Sequence, residues 1–232
     1  MRALLSILLG LCALLVTGCG EEHQPITYRY RMTVEVETPQ GLRTGSSIIE
    51  VRTIKGIAFP GPEAASLQVR IRGEAVAVDL PRGQTLFALL SRLNFSDQAA
   101  RIPEVSLQPD PPFRGGGDAW RKNIEALKRI RNSASVPPNE YPLLVRFRDI
   151  HDPKSVEAVD PGDLAASFGK GVKLRRIVIQ ITEDPVTTGI EKRLGWLRSL
   201  RGGGTLRGAE SRDYVKLERN LNYTAFVRGS KK

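Results

Sequence analysis

A strict alternation of apolar and polar residues marks the first structured part of the chain. In the segment TYRYRMTVEVET, the apolar residues Tyr28, Tyr30, Met32, Val34 and Val36 alternate with charged residues and threonine. This period of two predicts a strand with one buried face and one polar face. A turn at 39–41 and a returning strand at 46–53 complete a predicted hairpin.

The next segment, SLQVRIRGEAVAVDLP, repeats this pattern on both sides of Gly73 and Glu74. Apolar residues alternate from Leu67 to Ile71 and again from Val76 to Leu80, which predicts a second hairpin. The N-terminal half is therefore expected to be an antiparallel sheet of about four strands. The following apolar run, at 83–93, is compatible with either a fifth strand or a short helix.

The middle of the chain contains a predicted loop followed by a predicted helix. Proline and glycine are frequent from Pro103 to Gly117, which indicates a loop and a boundary between two halves, 26–110 and 111–232. Asp118 follows as a helix cap, and Trp120, Ile124 and Leu127 lie on one helical stripe. We expect the two halves to pack together as one domain.

Two further strands are predicted in the second half, at 141–150 and 172–182, as partners of each other. A short helix is expected between them. Asp160 is its predicted N-cap, Leu164 and Phe168 lie one turn apart, and Gly169 ends it.

A C-terminal helix has the clearest sequence signals. The run from Thr188 to Glu191 has the pattern of a capping box, and Ile190, Leu194, Leu197 and Leu200 follow at helical spacing. Trp196 widens this apolar stripe, so the helix could lie on a membrane surface, but packing on a sheet is the preferred interpretation. A last strand is expected at 222–229. The predicted fold is α+β, an antiparallel sheet-rich body with two substantial helices after a signal peptide.

The N-terminus has the pattern of a secretory signal. Arg2 precedes an uncharged run from Ala3 to Val16, which is too short to cross a bilayer as a helix. The following residues, Val16-Thr17-Gly18-Cys19, resemble the lipobox of bacterial lipoproteins. This resemblance implies removal of residues 1–18, acylation of Cys19 with membrane-anchoring lipid such as palmitate, and a short tether at 19–25.

The lipobox resemblance also implies a location. Gly20, rather than aspartate, follows the cysteine, and among lipoproteins of two-membrane bacteria this favours the outer membrane over retention in the inner membrane. The domain is then expected to face the periplasm or the cell exterior, with the membrane as its partner through the lipid on Cys19.

The two cysteines of the chain, Cys12 and Cys19, both belong to this N-terminal region. Removal of the signal and acylation of Cys19 would leave the exported body without a free thiol. Disulfides, thiol catalysis and cysteine-based zinc sites are therefore excluded from the predicted body.

The chain is basic, with a formal net charge of +10, or 10 − 1 = +9 without Arg2. The segment from Glu191 to Lys232 carries 11 basic and 4 acidic residues, a net charge of 11 − 4 = +7. A solvated basic face is the preferred interpretation. The alternative is a module that uses this segment to bind anionic cell-wall polymers. Nucleic acid is not expected as a partner of an exported protein.

Candidate chemistry is sparse. Asp149, His151 and Asp152 are weak candidates for a metal site, because their spacing also fits ordinary turns. No metal or other cofactor is predicted. A serine hydrolase is disfavoured because the chain has no Gly-x-Ser-x-Gly motif. A carboxylate-based hydrolase remains an alternative, although no segment identifies its pair of carboxylates.

The segments 147–172 and 181–197 resemble an uncharacterised family of bacterial proteins. The resemblance implies a shared fold and no activity. The function expected from the sequence is therefore a non-enzymatic binding, structural or assembly role at the cell envelope, with envelope proteins or anionic polymers as possible partners.

Overall fold

The computed structural model describes residues 24–55, 67–91, 98–108, 118–206 and 217–229. The proposed signal peptide and Cys19 lie outside these ranges. Within them, ten strands form two antiparallel sheets accompanied by short helices, which confirms the predicted α+β class. The strands are β1 (Thr27–Thr38), β2 (Gly41–Lys55), β3 (Leu67–Glu74), β4 (Val76–Asp79), β5 (Thr85–Ala88), β6 (Ala134–Ser135), β7 (Leu144–Phe147), β8 (Val156–Ala158), β9 (Lys173–Thr182) and β10 (Val227–Arg228). The α-helices are α1 (Gln98–Leu107), α2 (Asp118–Leu127), α3 (Leu164–Phe168), α4 (Ile190–Arg193), α5 (Leu217–Asn220) and α6 (Tyr223–Phe226).

The first sheet has the strand order β10-β3-β2-β1-β9-β6. The predicted hairpin of β1 and β2 is confirmed, with its turn at Pro39 and Gln40. On β1, the side chains of Tyr30, Met32 and Val34 are fully buried, as their alternation predicts.

The second predicted hairpin is wrong, because β3 and β4 belong to different sheets. β3 pairs with β2 in the first sheet, whereas β4 pairs with β5 in the second sheet, whose order is β4-β5-β7-β8. The chain changes sheets at Ala75, whose backbone N–H donates to the carbonyl of Phe226 at 2.8 Å. Within the ambiguous apolar run at 83–93, Thr85–Ala88 forms a strand, β5.

The two sheets approach each other closely where β4 meets β2, at Gly45. A Cβ atom at this position would lie 2.8 Å from the carbonyl carbon of Ala77, which is shorter than a real contact of this kind. Glycine at position 45 therefore allows the backbones to meet.

The predicted pairing of the strands in the second half is also wrong. β7 pairs with β5 and β8, while β9 pairs with β1. The local apolar pattern of a strand does not specify its partner, which depends on contacts between distant residues. The helix between them is α3, which buries Leu164 and Phe168 and ends at Gly169, as predicted. Its N-cap is Asp163, whose side chain accepts the N–H of Ala166, rather than Asp160.

The helix α1 occupies part of the region that the sequence predicts as a loop. Pro103 lies inside it and cannot donate the helical hydrogen bond to the carbonyl of Ala99. The phenol of Tyr30 donates to that carbonyl at 2.6 Å instead. The residue from β1 thus satisfies the acceptor that the proline leaves free. The next helix, α2, is confirmed with Ile124 and Leu127 buried, while the side chain of Trp120 lies outside the described part.

The predicted continuous C-terminal helix is instead two short pieces. α4 ends at Arg193, and a 3₁₀ segment follows at Gly195–Leu200 because Leu194 has non-helical torsions of φ −109° and ψ 77°. Ile190, Leu194 and Leu197 of the predicted apolar stripe are nevertheless buried, and Trp196 and Leu200 are half-buried. The indole N–H of Trp196 donates to the carbonyl of Ile150 at 2.9 Å, and its ring packs edge-on against Phe147. Packing on a sheet is therefore confirmed.

The predicted last strand is reduced to the two residues of β10. The preceding residues form the helical turn α6, which begins with Asn222 accepting the N–H of Thr224. Among the described residues, the helices are all too short or too polar to cross a membrane.

Candidate functional site

Arginine side chains cluster on the outer face of the first sheet, at the end where β1 begins. Alternation along the strands turns them outward, while the residues between them, such as Val51 and Ile71, are buried. We call this surface the arginine face. It consists of Arg29 and Arg31 on β1, Arg52 on β2, and Arg70 and Arg72 on β3.

The strand register places two of these arginines directly opposite each other. Arg52 on β2 pairs with Arg70 on β3. Like charges in such cross-strand positions destabilise a sheet. Elsewhere on the same sheet, opposite charges face each other: Arg29 Nε donates to Glu50 Oε2 at 2.8 Å, and Arg176 Nε donates to Glu35 Oε2 at 2.9 Å.

Three members of the arginine face differ from Arg29 in their contacts with the described part of the chain. The side chains of Arg52, Arg70 and Arg72 are exposed, and make no ion pair or hydrogen bond with any residue in the described ranges. Arg72 lies opposite Glu50, but that carboxylate is bonded to Arg29. Arg31 differs because it binds Asp184 at 2.5 Å.

A groove of about 850 Å³ extends the basic surface from β3 towards the C-terminal segment. Arg201 and Arg228 line it, so two residues of the basic C-terminal segment contribute to the same surface as Arg70. The guanidinium of Arg201 lies 5.7 Å from the ring centre of Tyr223 and binds Glu191 at 2.7 Å. Burial acts to raise the pKa of Glu191, but the bonds from Arg201 and Tyr223 outweigh it and lower that pKa.

A buried carboxylate, Glu74, lies beside this groove. Its Oε2 accepts the N–H of Ile190 at 2.9 Å, so it caps α4 in place of the predicted capping box. Burial raises the pKa of Glu74, against the opposing effect of the backbone donors at Ile190 and Gly189. Glu74 and Glu191 line a common cavity of about 280 Å³. Because both carboxylates hold structural bonds, this cavity does not favour the hydrolase alternative.

The predicted metal candidates form a turn. Asp149 Oδ1 accepts the N–H of His151 at 2.9 Å, and Asp152 Oδ1 accepts the N–H of Lys154 at 2.9 Å. The Ser155 hydroxyl closes the turn by donating to the carbonyls of Asp149 and Asp152. No group of three or more potential metal ligands occurs within the described ranges.

Asp149 also borders a separate cavity of about 450 Å³ between β5 and β7. Arg146 and Arg148 line it, but both guanidinium groups bind Glu157, at 2.7 and 2.9 Å. Arg146 also donates to the carbonyl of Ser167. Arg146 and Arg148 thus share the carboxylate of Glu157, whereas Arg52, Arg70 and Arg72 have no such partner among the described residues.

A half-buried ionisable group, Glu104, lies on the other side of the first sheet, on α1. Burial raises the pKa of Glu104 to about 7, with the Arg101 charge acting in the opposite direction. The buried phenol of Tyr28 lacks a hydrogen-bond partner among the described residues. Burial, followed by the charge of Glu104, raises the pKa of Tyr28.

Comparisons of the chain with protein-family models, with curated proteins and with solved structures find no match. The arginine face is therefore interpreted from its own geometry and charge.

Proposed function

We propose that this protein is a lipid-anchored envelope protein that binds an anionic partner through the arginine face. Its role is non-enzymatic, and its domain faces the periplasm or the cell exterior. The opposed pair of Arg52 and Arg70 carries the proposal, because the described residues place two like charges in register and supply neither with an ion-pair partner. An anionic group bound between them would remove the repulsion.

The spacing of the arginines favours a partner with several anionic groups. Alternate residues on a strand are about 7 Å apart, and neighbouring strands are about 5 Å apart. Arg70 and Arg72 occupy the first spacing, and Arg52 and Arg70 the second. Each guanidinium can bind a phosphate or carboxylate through two parallel N–H groups. A row of phosphates or carboxylates fits this array better than a single small anion.

Binding of inorganic polyphosphate tests this proposal. The triple variant Arg52→Gln, Arg70→Gln and Arg72→Gln is expected to bind more weakly than the wild type. Loss of three phosphate contacts should also reduce the slope of log affinity against log salt by roughly 2. Fluorescence anisotropy with labelled polyphosphate at several salt concentrations measures both quantities.

A matched control removes the same amount of charge elsewhere. Lys154, Lys170 and Lys173 are exposed and lie outside the arginine face. Their triple substitution by glutamine is expected to leave most of the affinity intact. Equal loss of affinity in both triple variants would show that only net charge matters and would refute a localised site.

The lipid anchor is tested separately with Cys19→Ser. This substitution removes the thiol that the lipobox resemblance identifies as the acylation site. We expect loss of labelling by radioactive palmitate and release of the protein from the membrane fraction. Retention of both properties in the variant would contradict the anchor.

A further inference from the structure

The described N-terminus and the arginine face lie at the same end of the first sheet. Thr27, the first residue of β1, pairs with Arg52, and Arg52 pairs with Arg70 on the next strand. Gln24 precedes β1 at this end, and its carbonyl accepts a hydrogen bond from Arg121 of α2 at 2.9 Å. The segment that would connect the fold to its lipid therefore starts at the same end of the sheet as Arg52 and Arg70.

The length of that segment keeps the arginines close to the anchor. Thr27 and Arg70 are two strand spacings apart, which is about 10 Å. The eight residues from Cys19 to Thr27 span at most about 27 Å when fully extended. The other end of β1, at Thr38, lies about 36 Å further along the sheet. A lipid on Cys19 would therefore hold the arginine end of the sheet nearer to the bilayer surface.

We propose that the arginine face docks on the anionic phosphate headgroups of the membrane that holds the lipid on Cys19. This inference rests on the proposed function and identifies its partner. Each arginine near an anionic bilayer surface strengthens association roughly fivefold, so Arg52, Arg70 and Arg72 together contribute roughly a hundredfold. The lipid supplies attachment, and the arginine face supplies orientation, with the outer face of the first sheet against the headgroups.

The chain is well suited to a test by site-specific labelling, because its two cysteines lie at positions 12 and 19. In the mature acylated protein, Gln68→Cys introduces a single reactive thiol on the same side of β3 as Arg70 and Arg72, at an exposed position. Lys170→Cys is the control. Lys170 is also exposed, and its neighbour Gly171 lies against Pro39, at the opposite end of β1.

Each fluorescently labelled lipoprotein is reconstituted into vesicles that carry a headgroup-attached quencher. One set of vesicles contains phosphatidylglycerol mixed with phosphatidylcholine, and the other contains phosphatidylcholine alone. We expect strong quenching of the label at position 68 on the anionic vesicles, weak quenching on the neutral vesicles, and reversal by added salt. The label at position 170 should be quenched weakly on both.

The triple variant Arg52→Gln, Arg70→Gln and Arg72→Gln should lower the quenching at position 68 to the value on neutral vesicles, while the lipid keeps the protein on the vesicles. Quenching that is independent of lipid charge, or unchanged in this variant, would overturn the docking inference.

The outcomes separate this inference from the proposed function. If the wild type binds polyphosphate through the arginine face but shows no quenching dependent on phosphatidylglycerol, headgroup docking is wrong and a free anionic polymer is the partner. If the purified protein carries no lipid and does not stay with the vesicles, the proposed anchor fails, and the docking inference fails with it.

Discussion

The opposed arginines predict that one charge reversal stabilises the protein while the same reversal two residues away destabilises it. Arg70→Glu replaces the repulsion between Arg52 and Arg70 by an attraction. Arg72→Glu instead places a second carboxylate opposite Glu50. Both positions are exposed on β3, so the change in strand propensity is nearly the same and cancels in the comparison.

The expected magnitude follows from the energies of cross-strand pairs. An opposite-charge pair contributes roughly 0.2–1 kcal/mol, and a like-charge pair costs a similar amount. Arg70→Glu should therefore raise the free energy of unfolding by about 1 kcal/mol, and Arg72→Glu should lower it by about 1 kcal/mol. For a protein of this size, a difference of about 2 kcal/mol corresponds to a difference in Tm of roughly 4–8 °C.

Thermal unfolding of both variants at low and high salt measures the effect. The difference between the variants should shrink at high salt, where exposed charges are screened. Both variants should bind polyphosphate more weakly than the wild type, so Arg70→Glu is expected to be more stable and less able to bind. Equal Tm values for the two variants at low salt would refute the repulsion between Arg52 and Arg70.

Three further predictions concern the interior. Because burial raises the pKa of Glu104 to about 7, from 4.5 for a free side chain, its contribution to stability is present below pH 4.5 and is lost as the pH rises to 7. Glu104→Gln should abolish this decline and raise the free energy of unfolding at pH 8 by up to about 3 kcal/mol. Denaturant titrations at pH 5 and pH 8 measure the effect. A wild type with the same free energy of unfolding at both pH values would contradict the prediction. Gly45→Ala should lower the free energy of unfolding by about 1–3 kcal/mol, because the added Cβ meets the backbone of Ala77. Gly195→Ala is the control: a Cβ at position 195 lies in open space, so the free energy of unfolding should change by less than about 0.5 kcal/mol in the same titration. Glu74→Ala should lower the free energy of unfolding by about 1–3 kcal/mol, because the N–H of Ile190 loses its acceptor. Glu74→Gln should lower it less, and thermal unfolding compares both variants with the wild type. Equal Tm values for the wild type and Glu74→Ala would show that the bond is unimportant.

The local patterns predicted elements more accurately than their partners. Alternation identified β1 and its buried side, because the period of two is a property of the strand by itself, and the sequence also located β2 and β9. It assigned β9 to the wrong neighbour, since strand pairing depends on contacts between distant residues. In α1, Pro103 suggested a loop, and the sequence did not reveal that Tyr30 would satisfy the carbonyl of Ala99.

The arginine face was only partly predictable. Alternation with Val69 and Ile71 places Arg70 and Arg72 on the polar side of their strand. The register that brings Arg70 opposite Arg52 follows from the pairing of β2 with β3, whose intervening connection carries no two-residue turn signal. Glu74 was missed because its partner, the N–H of Ile190, is 116 positions away in the sequence.

The position of β1 in the middle of the first sheet sets an order of events for a chain that is synthesised from its N-terminus. β1 can pair with β2 as soon as both strands have emerged, but its other edge stays open until β9 arrives, because Arg29 pairs with Thr182. More than 150 residues separate these two positions. The hairpin of β1 and β2 must therefore avoid pairing with other chains during this interval, and the charged side chains along β1 serve that purpose before they serve any binding role.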